Sequence, residues 1–283
     1  MNNIIHFQAW KGVVIFMKKY ISFFRLQFIY GLQYRAAALG GIATQFLWGG
    51  LTVLLYKAFY EADSGAFPMG IQEVITYTWL QQAFLALFMV WFFENDIFEA
   101  ISSGNIAYEI TRPINLYNMW FTKNVASRLS KAVLRCMPIL ILAAFLPGPY
   151  GITLPPSIEA FLWFLLTMTL GTLVVVAFCM LVYIVTFYTI SSLGVKIVAS
   201  SVVEFLAGAV LPLPFFPESI QKVMRILPFA AMQNVPLRAF TGNLSGEELY
   251  MAAGLQLFWC MALIGLGKYM LRDALKKVVV QGG

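Results

Sequence analysis

Residues 160–189 read AFLWFLLTMTLGTLVVVAFCMLVYIVTFYT and contain no charged side chain. A helix of this length extends about 45 Å at 1.5 Å per residue, which exceeds the hydrocarbon layer of about 30 Å. Its apolar residues lie on every side, whereas a strand of an outer-membrane barrel alternates apolar and polar residues. The stretch therefore predicts a membrane-spanning helix, and it places the chain among the all-α membrane proteins.

Five other stretches read as spans over a window of about 19 residues. The six predicted spans are residues 36–59, 74–93, 117–146, 160–189, 195–211 and 249–271. Of the 283 residues, 60% are hydrophobic and 11% are charged, and the mean hydropathy is +0.78. A soluble core cannot absorb so much apolar surface. We therefore expect a polytopic transmembrane domain over residues 36–271, between an N-terminal region, residues 1–35, and a C-terminal tail, residues 272–283.

The distribution of Lys and Arg predicts the orientation of these spans. Fifteen of the 19 lie before the first span, around the start of the third, at the start of the fifth, or from the end of the sixth onward. Loops 60–73 and 147–159, on the opposite side, contain none. The positive-inside rule then places both termini in the cytoplasm. The net charge of +6 follows from this bias, so no nucleic-acid partner is predicted.

The N-terminal region is predicted to touch the membrane without crossing it. Residues 17–35 mix basic with aromatic and aliphatic side chains, which suits a helix lying in the cytoplasmic interface with membrane lipids. A cytoplasmic extension of the first span is the alternative. Basic residues interrupt every apolar run before residue 36, so a signal peptide is not expected. Met17 begins a stretch typical of a natural start, and we give residues 1–16 no functional weight.

The sequence offers no catalytic or metal-binding cluster. Its three cysteines, Cys136, Cys179 and Cys260, lie in apolar segments without C-x-x-C spacing, and its one histidine is His6. Neither a zinc site nor a Ser-His-Asp arrangement can be assembled from this inventory. We therefore expect a non-catalytic chain that carries no cofactor or metal of its own.

Polar residues inside the predicted spans form a second group of interest. Arg135 is predicted to lie near mid-bilayer, because only the second half of span 117–146 is apolar. In the fifth span, Lys196, Ser200, Glu204 and Gly208 recur every four residues and are expected to share one helix face. A charge inside the membrane costs about 2.5 to 3.5 kcal/mol, so Glu204 and Arg135 are candidate partners for each other. A packing role is favoured here over a substrate contact.

Segment 212–248 is rich in proline and is predicted to lie on the extracellular side. Five prolines prevent one continuous helix. Pro217 suits a first helical position, and the apolar residues after it, Ile220, Val223, Met224 and Leu227, have amphipathic spacing. The short helix is expected on the outer leaflet or dipping back into the membrane. An S-x-x-E capping box, Ser245 to Glu248, introduces the last span.

The longest polar stretch on the cytoplasmic side follows the second span. Residues 94–120 read ENDIFEAISSGNIAYEITRPINLYNMW. Acidic residues at its start, Gly104 in the middle and Arg112-Pro113 near its end predict a helix, a break, a second short segment and a turn. A loop of this kind, over residues 94–116, offers other proteins a surface to grip.

The pattern Gly104, Arg112, Pro113 and Ile114 resembles the coupling region of ABC-2 exporter permeases. The order of features along the whole chain is similar too: a basic interfacial helix, six spans, a loop between the second and third, and a proline-rich segment before the sixth. The likeness is closest to half-size permeases of bacterial drug and antimicrobial-peptide exporters. No G-x-x-x-x-G-K-[ST] motif occurs, because Gly267-Lys268 is followed by Tyr269 and lies in an apolar span.

This resemblance implies a permease subunit in the bacterial plasma (inner) membrane. It would pair with a second six-span permease, identical or related, and with ABC ATPase subunits that bind ATP and Mg²⁺. The family's coupling role carries over to residues of the loop, namely Glu99, Ile101, Gly104, Arg112 and Pro113. The largely aliphatic and aromatic spans suggest a hydrophobic or amphipathic substrate.

Three other interpretations stay open at this stage. Arg112 and Glu109 can be ordinary solvated loop charges. The chain can be an autonomous channel or ion-coupled secondary transporter, although we find no convincing inverted repeat between its two halves. It can also be a membrane-embedded enzyme that acts on lipid, with Glu94, Asp96 and Glu99 as its only acidic cluster.

Overall fold

The computed structural model describes residues 2–63, 65, 67–189 and 191–277, with side chains from residue 17 onward. Within these ranges the regular structure is helical and contains no strand, which confirms the all-α prediction. The α-helices are α1 (Asn2–Leu32), α2 (Arg35–Ala62), α3 (Ile71–Ala83), α4 (Leu85–Phe88), α5 (Asn95–Ser102), α6 (Ile106–Ile110), α7 (Leu116–Phe145), α8 (Ile158–Val185), α9 (Ser192–Leu206), α10 (Glu218–Ile226), α11 (Asn234–Thr241) and α12 (Gly246–Lys277).

Three described helices are long and apolar enough to cross a membrane. They are α2, α8 with its 3-10 extension to Tyr188, and α12. Helix α8 is the centre of the fold, because it packs against α7, α11 and α12 and buries the run Val174–Ala177 completely. Large apolar side chains of α2 and α12 remain exposed instead, as expected for helices at the edge of a bundle in lipid.

The second predicted span, 74–93, is not one helix. Helix α3 ends at Ala83, α4 is a single turn, and residues 89–94 are not helical. Neither glycine nor proline lies between Phe84 and Asn95, so no local signal marks this break. A side chain from α7 stabilises it, as described below.

The fifth predicted span, 195–211, is shorter than expected. Helix α9 ends at Leu206, and Gly208 adopts a left-handed backbone with φ of +81°. Gly208 therefore does not continue the helix face of Lys196, Ser200 and Glu204. The freed carbonyl oxygens are bonded by other elements, since the Tyr77 hydroxyl donates to Gly208 O at 3.0 Å. Gln81 Nε2 donates to Ala209 O at 2.7 Å.

Helix α1 packs against α7. It contains most of the predicted interfacial helix, residues 17–35, and ends before a turn at Gln33 and Tyr34. Gly31 permits the close approach, because a Cβ atom there would overlap the side chain of Ser130. The exposed side of α1 includes Ile21, Leu26 and Ile29, at 60%, 63% and 47% exposure. The side chains of residues 1–16 lie outside the described part of the chain.

Segment 212–248 is folded back onto the helical bundle. A 3-10 turn precedes α10, which begins at Glu218, so Pro217 is the N-cap and not the first helical position that was predicted. Of the four apolar positions named for this helix, Met224 is the buried one, while Ile220 and Val223 are exposed. Helix α11 packs against α3, α8 and α12 and buries most of its residues. Helix α12 begins directly after Ser245, at the position that the capping pattern predicts.

Candidate coupling site

Loop 94–116 folds into two short helices joined at Gly104. One face of α5 buries Ile97 and Phe98, while Glu99 faces outward. Gly104 has φ of +77°, a conformation that strains residues with a side chain, and a Cβ atom there would meet nothing. Helix α6 follows, and a turn leads into α7. The predicted order of helix, break, second segment and turn is confirmed.

The five residues assigned to coupling do not share one surface. Glu99, Gly104, Arg112 and Pro113 are exposed. Ile101 is half-buried and packs against the core beside α5, so it supports the loop from within. Arg112 makes no ion pair within the described residues, which leaves its guanidinium available to a partner.

The tip of the loop also exposes two large side chains that the sequence analysis did not single out. Tyr108 is 74% exposed and Ile110 is 43% exposed. The residue between them, Glu109, accepts a hydrogen bond from Trp120 Nε1 at 2.7 Å, so it is not an ordinary solvated charge. No sequence signal separates this pair from Ile97, Phe98 and Ile106, apolar residues of the same loop that are buried.

Three consecutive residues at the start of α5 are each held by a different lysine. Glu94 pairs with Lys131 at 3.5 Å, and Asp96 pairs with Lys123. Lys196 Nζ donates to Asn95 Oδ1 at 2.8 Å and lies 4.1 Å from the centroid of the Phe98 ring.

Two of these lysines belong to α7 and the third to α9, so the start of α5 is in contact with both helices. The acidic cluster Glu94, Asp96 and Glu99 thus has a structural use. Two of its carboxylates are ion-paired.

A buried polar network lies beneath α5. The backbone N–H of Glu94 donates to the Tyr183 hydroxyl of α8 at 2.8 Å, and Asn124 Nδ2 donates to the same oxygen at 2.7 Å. Asn124 Oδ1 in turn accepts from Arg128 Nε at 2.9 Å. Helices α7 and α8 therefore meet the start of the loop through hydrogen bonds rather than apolar contact alone.

Arg128 is fully buried and closes the break after α3. Its Nη1 donates to the carbonyl oxygens of Ala86 at 3.0 Å and Met89 at 2.8 Å, with a longer contact to Leu87 at 3.4 Å. Its Nη2 donates to Phe92 O at 3.3 Å and Cys179 Sγ at 3.2 Å.

Carbonyl groups that a helix break releases must find donors inside the protein when no water is near. All three nitrogens of Arg128 are engaged, so its guanidinium supplies those donors. The sequence does contain a signal for this role of Arg128. The residue is a cation in the first half of a largely apolar segment, and it lies one turn after an asparagine.

The intramembrane polar residues named from sequence are not brought together. No ion pair joins Glu204 to Arg135 in the described part of the chain. The Arg135 guanidinium lies against Gly41 and 5.6 Å from the centroid of the Phe92 ring. Glu204 lines a cavity among α2, α3 and α9, and Ser200 lies in a separate surface pocket beside Lys196. The proposed pairing is therefore not formed.

A family model described as ABC-2 family transporter protein matches residues 46–282. The chain belongs to this family. The match runs from the middle of α2 beyond α12 and includes the whole of loop 94–116. ABC-2 permeases are the membrane components of ABC transporters, and they assemble with ATPase subunits. The resemblance to ABC-2 permeases is thereby confirmed. No curated protein matches the chain.

Proposed function

We propose that this ABC-2 permease is the membrane subunit of an ATP-driven exporter, with its ATPase subunit docked on the tip of loop 94–116. The observation that carries the proposal is the combination of an exposed tip and a fixed base. Tyr108, Ile110 and Arg112 present aromatic, aliphatic and cationic groups outward. Tyrosine and arginine are, with tryptophan, the residue types enriched among the hot spots of protein interfaces.

The base of the loop supplies a mechanism. When the ATPase closes, it displaces α5, and the displacement reaches α7 and α9 through the three lysine contacts and α8 through Tyr183. Packed helices tend to exchange between discrete arrangements rather than deform continuously. Movement of α5 would thus switch the bundle between two arrangements, and ATP and Mg²⁺ would be bound by the partner.

In this proposal six membrane crossings are made by α2, by α3 with α4, and by α7, α8, α9 and α12. Both termini lie in the cytoplasm of a bacterium, and α1 lies at the inner face of its plasma membrane. The exposed apolar side chains of α1, α2 and α12 support contact with lipid or with a second permease, identical or related. The substrate is expected to be hydrophobic or amphipathic.

The docking surface is tested by changing Tyr108 and Arg112 to alanine together in an affinity-tagged chain expressed in its native host. Recovery of the co-purifying ATPase is expected to fall by about thirtyfold, since truncating two interface residues at about 1 kcal/mol each removes about 2 kcal/mol. Tyr269→Ala is the matched control, because Tyr269 on α12 is also 74% exposed. Quantitative mass spectrometry of the eluted complex, normalised to the tagged chain, measures the effect.

Two results would contradict the proposal. Equal loss of the ATPase in the Tyr269→Ala control would mean that the loop tip is not the docking surface. Purification of the wild-type chain alone, active in vesicles without ATP, would instead identify an autonomous ion-coupled transporter.

A further inference from the structure

A cavity of about 480 Å³ lies between α2 and α3 and reaches the end of α9. Its walls carry polar and aromatic side chains spaced about one turn apart on both long helices. Trp48 and Trp91 line it and are 62% and 43% exposed. In a chain whose residues are 60% hydrophobic, such a lining has to serve either packing or a ligand.

Several polar groups of the cavity already serve the fold. The hydroxyls of Thr44, Thr52 and Thr78 donate to carbonyl oxygens four residues earlier in their own helices. Tyr77 and Gln81 bond the carbonyl groups at the end of α9. These contacts explain five side chains without any ligand.

Gln45 is different, because it is buried and lacks any partner. The residue is 4% exposed, and neither its Nε2 nor its Oε1 makes a hydrogen bond. A buried amide with both ends unsatisfied costs free energy that a fold does not normally spend. Gln45 is among the residues that line the cavity, which makes its amide a candidate partner for a group bound there.

Glu204 adds the charge. It is the one carboxylate among the described residues that line the cavity, and neither lysine nor arginine lines it. Its carboxylate has no hydrogen bond or ion pair within the described part of the chain. An uncompensated carboxylate in a membrane segment is costly unless a cation or water in a cavity compensates its charge.

We propose that this cavity, hereafter the Glu204 cavity, binds an amphipathic organic cation, with the charge at Glu204, the apolar body between Trp48 and Trp91, and any N–H group at Gln45. Aromatic faces attract cations and also cover apolar groups, so one site serves both parts of such a molecule. The inference deepens the exporter proposed above by naming its substrate class.

The charge requirement is tested by direct binding, which needs no ATPase. The full chain in phosphatidylcholine nanodiscs is titrated with tetraphenylphosphonium and with tetraphenylborate, an anion of nearly the same shape, and binding to empty nanodiscs is subtracted. Only the cation is expected to bind. Glu204→Gln is expected to weaken its binding by about tenfold, the size of one charge-assisted contact. Glu204→Asp should retain most of the binding, and Glu218→Gln, an exposed carboxylate on α10, should leave it unchanged.

The proposed hydrogen bonding of Gln45 to the ligand is tested with rhodamine 6G, a cation that carries N–H donors. Gln45→Leu is expected to weaken its binding by about fivefold and to leave tetraphenylphosphonium binding unchanged. Equal effects on both cations would mean that Gln45 only shapes the cavity. Equal binding of the phosphonium and the borate, no binding of either, or no effect of Glu204→Gln would overturn the cation site. None of these results affects ATPase docking, which is measured by co-purification.

Discussion

Replacing Arg128 with methionine is expected to lower the free energy of unfolding by about 3 kcal/mol. The change removes the donors for the carbonyl groups of Ala86, Met89 and Phe92. It also removes the donor to the side-chain oxygen of Asn124. Methionine fills much of the space left by arginine, and burying it does not require desolvating a cation. The expected loss of stability is therefore at the low end of the range for breaking a buried charged contact. Denaturant unfolding in detergent measures this loss.

Lysine is not expected to rescue the site. A guanidinium presents five N–H donors in a planar fork, whereas an ammonium has three around one nitrogen and cannot span carbonyl groups on both sides of the break. Both Arg128 variants should also lose the co-purifying ATPase, because α5 follows this break directly. Arg272→Met is the matched control, since Arg272 is an exposed arginine on α12. Stability of Arg128→Met within about 0.5 kcal/mol of the control, the usual scatter of surface changes, would contradict the prediction.

The second large effect is expected at Gly171, in the middle of α8. A Cβ atom there would overlap the carbonyl oxygen of Met232 and lie 3.1 Å from that of Ala231. Both are backbone atoms, and Gln256 Nε2 holds Ala231 O at 2.7 Å, so the obstruction cannot rotate away. Gly171→Ala is therefore expected to cost about 1 to 3 kcal/mol, the usual range for overpacking a core.

Gly254→Ala provides a control with the opposite expected sign. Gly254 is exposed in the interior of α12, and a Cβ atom there would meet nothing within 4 Å. Alanine should stabilise that helix by about 0.5 to 1 kcal/mol, because glycine is the poorer helix former. Parallel unfolding curves for the two variants make the comparison. A stabilising Gly171→Ala change would show that segment 231–232 does not press on α8.

Loop 94–116 shows which features of the candidate site could be predicted from the sequence. Gly104 and Pro113 are local signals, so the break and the turn were predictable at those residues. The exposed pair Tyr108 and Ile110 was not predicted, because a sequence does not say which apolar residues of a polar loop turn inward. Ile101 turned inward and Tyr108 outward, although both are apolar and lie only seven residues apart.

The polar residues in the interior of the bundle show where prediction from sequence fails. The predicted partners Glu204 and Arg135 are not paired, and Arg128 has the central role. An estimate of depth along a helix cannot tell which neighbouring helix a side chain faces. The end of α3 was missed for a related reason. The break is stabilised by a guanidinium more than forty residues later in the chain, and no residue near the break predicts it.

The sequence by itself determined that this chain is an all-helical membrane protein with a broken polar loop after its second apolar segment. Apolar composition and glycine or proline breaks act locally, so a linear reading captures them. The tertiary structure decided where the second and fifth segments stop being helical, which lysines hold α5, and which polar groups remain unpaired around the Glu204 cavity. Each of these depends on donors and acceptors from distant helices meeting where water is scarce, and only the packed fold brings them together.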